Sequence, residues 1–248
     1  MSDNSINVKV YNKSEEKINT LINKDLKNNI EGYTSLKTLV ENLEKPRTVM
    51  LLVPSGEPTK TVINDLTNLL DKDDLIIDAG NSYFLDSNEM GDLCEKKGVK
   101  FIGMGVSGGE EGARNGPAFM IGSKDQINET LIKMLSSISA KKDGVPCVGI
   151  YEGFGTGHFI KMLHNGIEYA EMQIIAEAYS VLRSSGFDNL EISNFFESFK
   201  EIGQSSYLIE ITAEIFQKKN SDGFLIDQIR PLANHKGTGK LTVQTSLD

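Results

Sequence analysis

The chain has 248 residues and a net charge of -9, with 26 Lys and Arg against 35 Asp and Glu, which opposes nonspecific attraction to nucleic acid or to an anionic membrane. Its hydrophobic share of 39% is typical of a globular protein with one large domain or two ordinary ones. There is no apolar run of bilayer length and no signal-like amino terminus. We therefore expect a cytoplasmic protein without nucleic-acid or membrane partners.

The cysteines and histidines predict neither a disulfide nor a metal site. Cys94 and Cys147 lie far apart and form no CxxC motif, so we expect neutral thiols in a reducing compartment. The histidines, at 158, 164 and 235, lack the spacing of metal ligands. We expect no protein-bound metal.

Strand and helix patterns alternate through the first part of the chain. Short apolar runs predict strands at 6–11, 48–53, 75–78, 100–104, 118–121 and 146–150. Helical periodicity starts at Ser14, whose hydroxyl is expected to cap the helix, and recurs at 35–43, 59–70, 87–97 and 124–136. This alternation predicts a parallel, doubly wound sheet. Beyond Glu152 the pattern is helical, so we place an α/β domain at 1–152 and an all-α domain at 153–248.

In a doubly wound sheet, ligands bind at the carboxyl ends of the strands. Polar or glycine-rich residues follow three predicted strands, at 12–14, 80–82 and 106–112. The third segment is predicted to be a loop, in which glycines let backbone amides approach an anion or a polyol and Ser107 adds a hydroxyl. An ordinary turn is an equally good interpretation of a glycine-rich loop.

The segment 157–173 places four polar side chains at helical spacing. Lys161, His164, Asn165 and Glu168 occupy positions i, i+3, i+4 and i+7, so they lie on one face of a helix. Lys161 and Glu168 are roughly 10 Å apart along the axis, which leaves room for a small polar substrate. A solvated face of an amphipathic helix is the alternative. Gly166, which is unfavourable within a helix, indicates close approach of another group.

The segment 234–240 is basic and contains two glycines. Lys236 and Thr238, with backbone amides, could hold a phosphate group there. A solvated loop is the alternative interpretation.

Four motifs in one order, VSGGEEGARNGPAFM, GHFIKMLHNGIEYAEMQ, SYLIEITAEI and KGTGK, resemble the decarboxylating 6-phosphogluconate dehydrogenases of the pentose phosphate pathway. The resemblance implies a Rossmann-like NADP-binding domain followed by an all-helical domain, in a homodimer. It also implies oxidation and decarboxylation of 6-phospho-D-gluconate to D-ribulose 5-phosphate and CO2, with no metal.

The same resemblance assigns roles to individual residues. Lys161 would be the general base that takes the proton of the substrate's C3 hydroxyl while nicotinamide accepts the hydride, and Glu168 would be the general acid. Protonated Lys161 would then stabilise the oxygen of the keto acid as CO2 leaves. The substrate would be bound by Asn81, Ser107, Gly108, Gly109, His164, Asn165, Tyr169, Lys236 and Thr238. The cofactor would be bound by Asn12, Lys13, Ser14, Val53 and Asn81.

The chain also departs from the family pattern. The family has a further strand and a glycine turn before the strand at 6–11, and further helices after KGTGK. Lys13, Pro54, Ala79 and Leu241 stand where the family carries arginine, lysine, glycine and tryptophan. We therefore expect the strands at 6–11 and 48–53 to lack their common neighbour, and this chain alone not to bind NADP productively. The alternative function is a non-catalytic or vestigial sugar-phosphate-binding relative, or an incomplete gene product.

Overall fold

A computed structural model describes residues 6–25, 28–232 and 237–247. It divides into two compact units, the first ending at Lys161 and the second beginning at Met162. The domain boundary predicted at residue 152 lies upstream of this division and stays a prediction. Across the described ranges, no helix is both long and apolar enough to cross a membrane.

The first unit alternates strands and helices. Its strands are β1 Val8–Tyr11, β2 Ile30–Tyr33, β3 Thr48–Leu51, β4 Leu75–Asp78, β5 Lys100–Ser107, β6 Ala118–Ser123, β7 Lys141–Lys142, β8 Val145–Pro146 and β9 Val148–Glu152. Its helices are α1 Glu15–Asn23, α2 Leu36–Glu41, α3 Glu57–Thr67, α4 Phe84–Lys97, α5 Gly109–Asn115 and α6 Glu129–Ile138.

The main sheet has five strands in the order β3-β4-β5-β6-β9. Ile76 and Ile77 point to opposite faces and are both fully buried, so helices cover the sheet on both sides. The predicted parallel sheet is confirmed for three of its pairs, while β5 and β6 are antiparallel. The connection 108–117 is short, which suits an antiparallel return better than a parallel crossover.

A second, two-stranded sheet holds β1 and β2, which pair in parallel. Within the described ranges, β1 and β3 belong to separate sheets, as expected for strands that lack their common neighbour. The strand β2 was not predicted, because its four residues, IEGY, include a glycine and form no apolar run.

The turn after β1 differs from the prediction at Ser14. Ser14 occupies the N-cap of α1 but makes no side-chain cap hydrogen bond. Instead, the Ser14 backbone N–H donates to Asn12 Oδ1 at 2.8 Å. The asparagine therefore forms the turn that the serine hydroxyl was expected to stabilise.

Helices dominate the second unit, as predicted. The long helix α7 Thr156–Ser184 begins in the first unit, and α8 Asn189–Glu201, α9 Tyr207–Gln217 and α10 Thr238–Leu247 follow. A hairpin of two-residue strands, β10 Lys219–Asn220 and β11 Gly223–Phe224, and a 3₁₀ turn at Leu225–Gln228 were not predicted. The core consists of Ile192, Phe196, Ala213 and Phe216.

The apolar side of α7 within the second unit is open. Ile167 is 71% exposed and Ile174 is 68% exposed. With Phe195, Phe199 and Ile209, among others, they line an apolar groove of about 360 Å³. This stretch of α7 is thus apolar on an exposed surface as well as in the core.

Candidate active site

The first turn of α7 contacts the main sheet backbone to backbone. A Cβ atom on Gly157 would collide with the carbonyl oxygens of Met120 and Gly103, and a Cβ on Gly122 would lie 2.6 Å from the Gly157 nitrogen. Glycine is therefore required where α7 meets β5 and β6. We call Gly103, Gly105, Gly122 and Gly157 the glycine contact.

The glycine contact was not predicted from the sequence. The available signal was a pair of glycines two residues apart in β5, at 103 and 105, because alternate residues of a strand share one face. Two glycines on one face leave room for a closely packed helix.

The glycine contact places Lys161 against the end of β5. A Cβ on Gly105 would lie 2.5 Å from Lys161 Cβ and 2.6 Å from the Gly157 carbonyl oxygen. Ser107 follows Gly105 by two residues and therefore faces the same side of the sheet. The structure thus brings the predicted general base and a predicted substrate-binding serine to one face, at one strand end.

The glycine-rich segment after β5 is a helix, so the predicted loop at 106–112 was wrong. β5 continues to Ser107, Gly108 is the N-cap of α5 with a φ of 132°, and Gly109 is the first helical residue with a φ of 61°. The N–H of Gly112 donates to the Gly108 carbonyl at 2.8 Å. Gly109 has open space where a side chain would be, so its backbone is accessible to a ligand.

Two further predicted residues lie after β3 and β4. β3 ends at Leu51, so Val53 is in the following loop and not in the strand as predicted. A Cβ on Gly80 would lie 3.1 Å from the Val53 carbonyl oxygen, so the loops that carry Val53 and Asn81 are in contact. Asn81 itself is exposed.

The predicted cofactor residues 12–14 lie at the carboxyl end of β1. Asn12 extends the strand pairing by donating its N–H to the Tyr33 carbonyl at 3.2 Å. Lys13 is exposed and Ser14 half-buried. This turn leads directly into the first residue of α1, the position at which an open sheet binds ligands.

In the second unit, α7 carries four predicted residues. His164 Nε2 and Glu168 Oε2 are 3.7 Å apart, and their side chains are 42% and 40% exposed. Tyr169 and Asn165 flank this pair on the same helix. A basic and an acidic group are therefore adjacent at a partly open surface.

Gly166 marks a close helix crossing, as its position within a helix indicated. A Cβ at Gly166 would lie 2.5 Å from Thr242 Cγ2 on α10, and Thr242 Oγ1 donates to the Met162 carbonyl at 2.8 Å. A Cβ at Gly239 would lie 3.3 Å from the Tyr169 ring. α10 therefore packs against α7 along the stretch that carries His164, Glu168 and Tyr169.

Two further residues, Lys236 and Thr238, were predicted to bind the phosphate. Lys236 lies outside the described residues, as does His235. Thr238 is the first residue of α10, so the predicted loop at 234–240 gives way to a helix at this residue.

Protein-family models match both units of the chain. The NAD binding domain of 6-phosphogluconate dehydrogenase matches residues 1–151, and the 6-phosphogluconate dehydrogenase C-terminal domain matches residues 157–248. The chain belongs to the 6-phosphogluconate dehydrogenase family.

Named relatives agree with this family assignment. The decarboxylating 6-phosphogluconate dehydrogenase 1 of Saccharomyces cerevisiae is 43% identical over 250 aligned residues, which cover 100% of this chain and 51% of the relative. The Salmonella typhimurium enzyme is 44% identical, over 97% of this chain and 52% of its own length. The chain thus spans about half the length of the 6-phosphogluconate dehydrogenases it matches.

Solved structures support the same fold. The 6-phosphogluconate dehydrogenase of Plasmodium falciparum, studied in its apo form and with its cofactor NADP+ or its substrate 6-phosphogluconate, aligns with a TM-score of 0.92 at 36% identity. The alignment covers 99% of this chain and 54% of that protein. A 3-hydroxyisobutyrate dehydrogenase from Salmonella typhimurium, at 13% identity and a TM-score of 0.64, shares the fold.

Proposed function

We propose that this chain carries the catalytic face of an NADP-dependent enzyme that converts 6-phospho-D-gluconate to D-ribulose 5-phosphate and CO2. The observation that carries the proposal is the contact between Lys161 Cβ and the Gly105 position, two residues before Ser107 on the same strand face. A base and a hydroxyl on one face suit a polyol whose proton must be removed beside a hydrogen-bonding group.

The substrate is held, in this proposal, by the carboxyl end of β5 and by α7. Ser107 and the amides of Gly108 and Gly109 meet the sugar acid, since Gly109 is open and begins a helix. Lys161 accepts the proton of the C3 hydroxyl and then donates to the oxygen of the keto acid while CO2 departs. Glu168 donates a proton to the carbon of the resulting enediol, which gives D-ribulose 5-phosphate.

The remaining substrate contacts follow the motifs. His164 and Asn165 bind hydroxyl groups of the sugar acid, and Asn81 lies between cofactor and substrate. Tyr169, Lys236 and Thr238 bind the phosphate. Support comes from the half-exposed His164 and Glu168 pair and from the position of Tyr169 beside α10.

The chain offers a turn that fits NADP. Residues 12–14 follow a parallel strand and enter a helix, with exposed Lys13 where NAD-selective sheets carry an acid. A cation there favours the 2′-phosphate. Val53 and Asn81 complete the proposed cofactor residues from neighbouring loops. When bound, NADP accepts the hydride of the C3 carbon.

Turnover is tested in a hybrid of this chain and a longer relative. The matched half of the Saccharomyces cerevisiae enzyme is replaced by this chain, and NADPH formation is measured with 6-phosphogluconate. We expect Lys161→Met to lower kcat by about 10²- to 10⁴-fold. Glu168→Gln should lower kcat and leave substrate affinity largely unchanged. A loss of about tenfold or less at Lys161 would contradict its role as base.

Cofactor choice is tested in the same hybrid. Lys13→Asp should shift the ratio of kcat/KM values toward NAD, because the added acid repels the 2′-phosphate and accepts from a ribose hydroxyl. Lys13→Arg is the matched control and should strengthen NADP preference through bidentate contact. An unchanged ratio in both variants would remove Lys13 from the cofactor site.

Further properties implied by the family complete the proposal. We place the reaction in the pentose phosphate pathway, in the cytoplasm, and in a homodimer. Light scattering on the hybrid tests the dimer. If the hybrid binds 6-phosphogluconate in calorimetry but forms no NADPH, the non-catalytic sugar-phosphate-binding alternative replaces the enzyme.

A further inference from the structure

A buried polar cluster lies beneath the proposed site and has no role in the chemistry above. His158, in the first turn of α7, is 2% exposed, and its Nδ1 is 2.7 Å from Ser87 Oγ on α4, which is 1% exposed. Asp78, at the end of β4, is also 1% exposed. Burial of three polar side chains is costly unless each is held by specific partners.

The cluster joins the elements that carry two proposed site residues. His158 lies three residues before Lys161 on α7. Ser87 lies on the first turn of α4, directly after the loop that carries Asn81. The contact between His158 and Ser87 therefore connects the helix of the base to the loop after β4.

The loop after β4 is also fixed at its other end. Asp78 Oδ1 accepts the Gly80 N–H at 3.1 Å, and Ser87 Oγ lies 3.3 Å from the Tyr83 carbonyl. Next to Ser87, Asn88 Oδ1 accepts the Gly155 N–H at 2.8 Å. The segment with Asn81 is thus held between a buried aspartate and a helix that is bonded to the start of α7.

The surroundings of His158 disfavour its charged form. Burial lowers the pKa of His158, against the opposing effects of the Asp78 carboxylate and the Gly80 backbone. A Cβ on Gly103 would lie 3.1 Å from His158 Nδ1, so the ring also fills the space beside the glycine contact.

We propose that His158 is a positioning residue, which acts through Ser87 to fix Lys161 on α7 relative to Asn81 on the loop after β4. The effect of His158 on turnover rests on the proposed function. The coupling of the two segments by His158 and Ser87 does not depend on that function. Ser87 is the better residue to change, because Ser→Ala removes one hydroxyl and leaves the packing intact.

Hydrogen exchange on the 248-residue chain without substrate tests the coupling. In Ser87→Ala we expect the amides of Phe159 and Gly80 to exchange up to about tenfold faster, the worth of one net hydrogen bond. Ser139→Ala, at another buried serine whose hydroxyl bonds a local carbonyl, should leave both amides unchanged. The Phe159 amide should exchange more slowly in His158→Asn, whose side chain can still hydrogen-bond with Ser87, than in His158→Leu.

Kinetics in the hybrid test the consequence. Ser87→Ala should lower kcat at least about tenfold with KM within about threefold, because misplacement of a base by a fraction of an ångström costs rate and not binding.

Unchanged exchange at both amides, or equal acceleration in α6, would overturn the positioning role. An inactive unmodified hybrid would refute the proposed function, while the exchange result would still decide the coupling. Accelerated exchange with unchanged kcat would overturn the catalytic consequence.

Discussion

The five-stranded main sheet and the two-stranded sheet of β1 and β2, both in the first unit, are buried to very different extents. Adjacent residues of β4, Ile76 and Ile77, are both fully buried, whereas β1 and β2 contain no buried residue in the part of the chain that the structure describes. The smaller sheet packs against Ile18 of α1, which is 5% exposed and lies against Gly32 of β2. Similar strand and helix patterns therefore produced a large buried core around the main sheet and a small one at the two-stranded sheet.

This difference divides the proposed site. Ser107, Lys161 and Asn81 are positioned by the main sheet, and residues 12–14 are positioned by the two-stranded sheet. We therefore expect the turn at residues 12–14 to open more readily than the loops that carry Val53 and Asn81, which follow strands of the main sheet.

The largest expected effect concerns a buried ion pair at the start of β3 and β4. Arg47 Nη1 is 3.0 Å from Asp74 Oδ2, with side chains 11% and 2% exposed, and Asp74 also accepts backbone N–H groups of Arg47 and Asp71. Arg47→Ala should lower the free energy of unfolding by about 3 kcal/mol, because it leaves a buried carboxylate without its cation. Urea unfolding measures this change. Lys133→Ala, at an exposed pair with Glu129, should leave the midpoint unchanged.

The glycine contact provides the second test of the main sheet. Gly157→Ala should destabilise the protein by about 2–3 kcal/mol, because its Cβ would meet two backbone carbonyls that cannot move aside. Gly112→Ala is the control, since its Cβ would have only an ordinary contact at 3.8 Å. Thermal unfolding by circular dichroism compares the two. Equal melting temperatures would show that α7 does not need this contact.

The two-stranded sheet should respond locally. Ile18→Ala removes a side chain that is 5% exposed and packs against Gly32 of β2, at a cost of about 2 kcal/mol. We expect faster hydrogen exchange in β1 and β2 with little change in β4 and β5. Leu135→Ala, beneath the main sheet, should instead accelerate exchange throughout that sheet. A uniform response to Ile18→Ala would mean that both sheets unfold together.

The smallest perturbation uses the two free cysteines. Cys94 is fully buried under the main sheet, and burial raises the pKa of its thiol to about 12, so its alkylation should require opening of the core. Half-buried Cys147 should react faster. Iodoacetamide labelling of Cys94→Ser and Cys147→Ser variants, followed by mass spectrometry, compares the sites. Rapid labelling of Cys94 would indicate that the main sheet is as open as the smaller one.

Sequence patterns predicted the elements whose burial is regular. β4 was predicted with its observed bounds, because LIID is an apolar run between polar turns. α5 was missed, because its sequence GEEGARN has no buried residue and therefore no apolar face. Its helical form depends on backbone bonds such as that from Gly112 to Gly108, which leave no hydrophobic periodicity.

The candidate site was predictable along α7 and not across the sheet. Helical spacing is enough to place Lys161 and Glu168 on one face of a helix. The distance between Lys161 and the Gly105 position is a tertiary property, and so is the pairing of Ser87 with His158, which are far apart in sequence. Periodicity within one element carries no information about such contacts.

The glycine contact also limits which sequences can serve this site. At Gly105 and Gly157 the neighbours include backbone carbonyl oxygens, and no second substitution can make a carbonyl smaller. A damaging change there has no compensating partner among side chains, unlike a core cavity that a larger neighbour can fill. In a deep mutational scan, substitutions at these positions should be damaging in every genetic background. A protein with the proposed base at a shifted position would need a different helix to carry it.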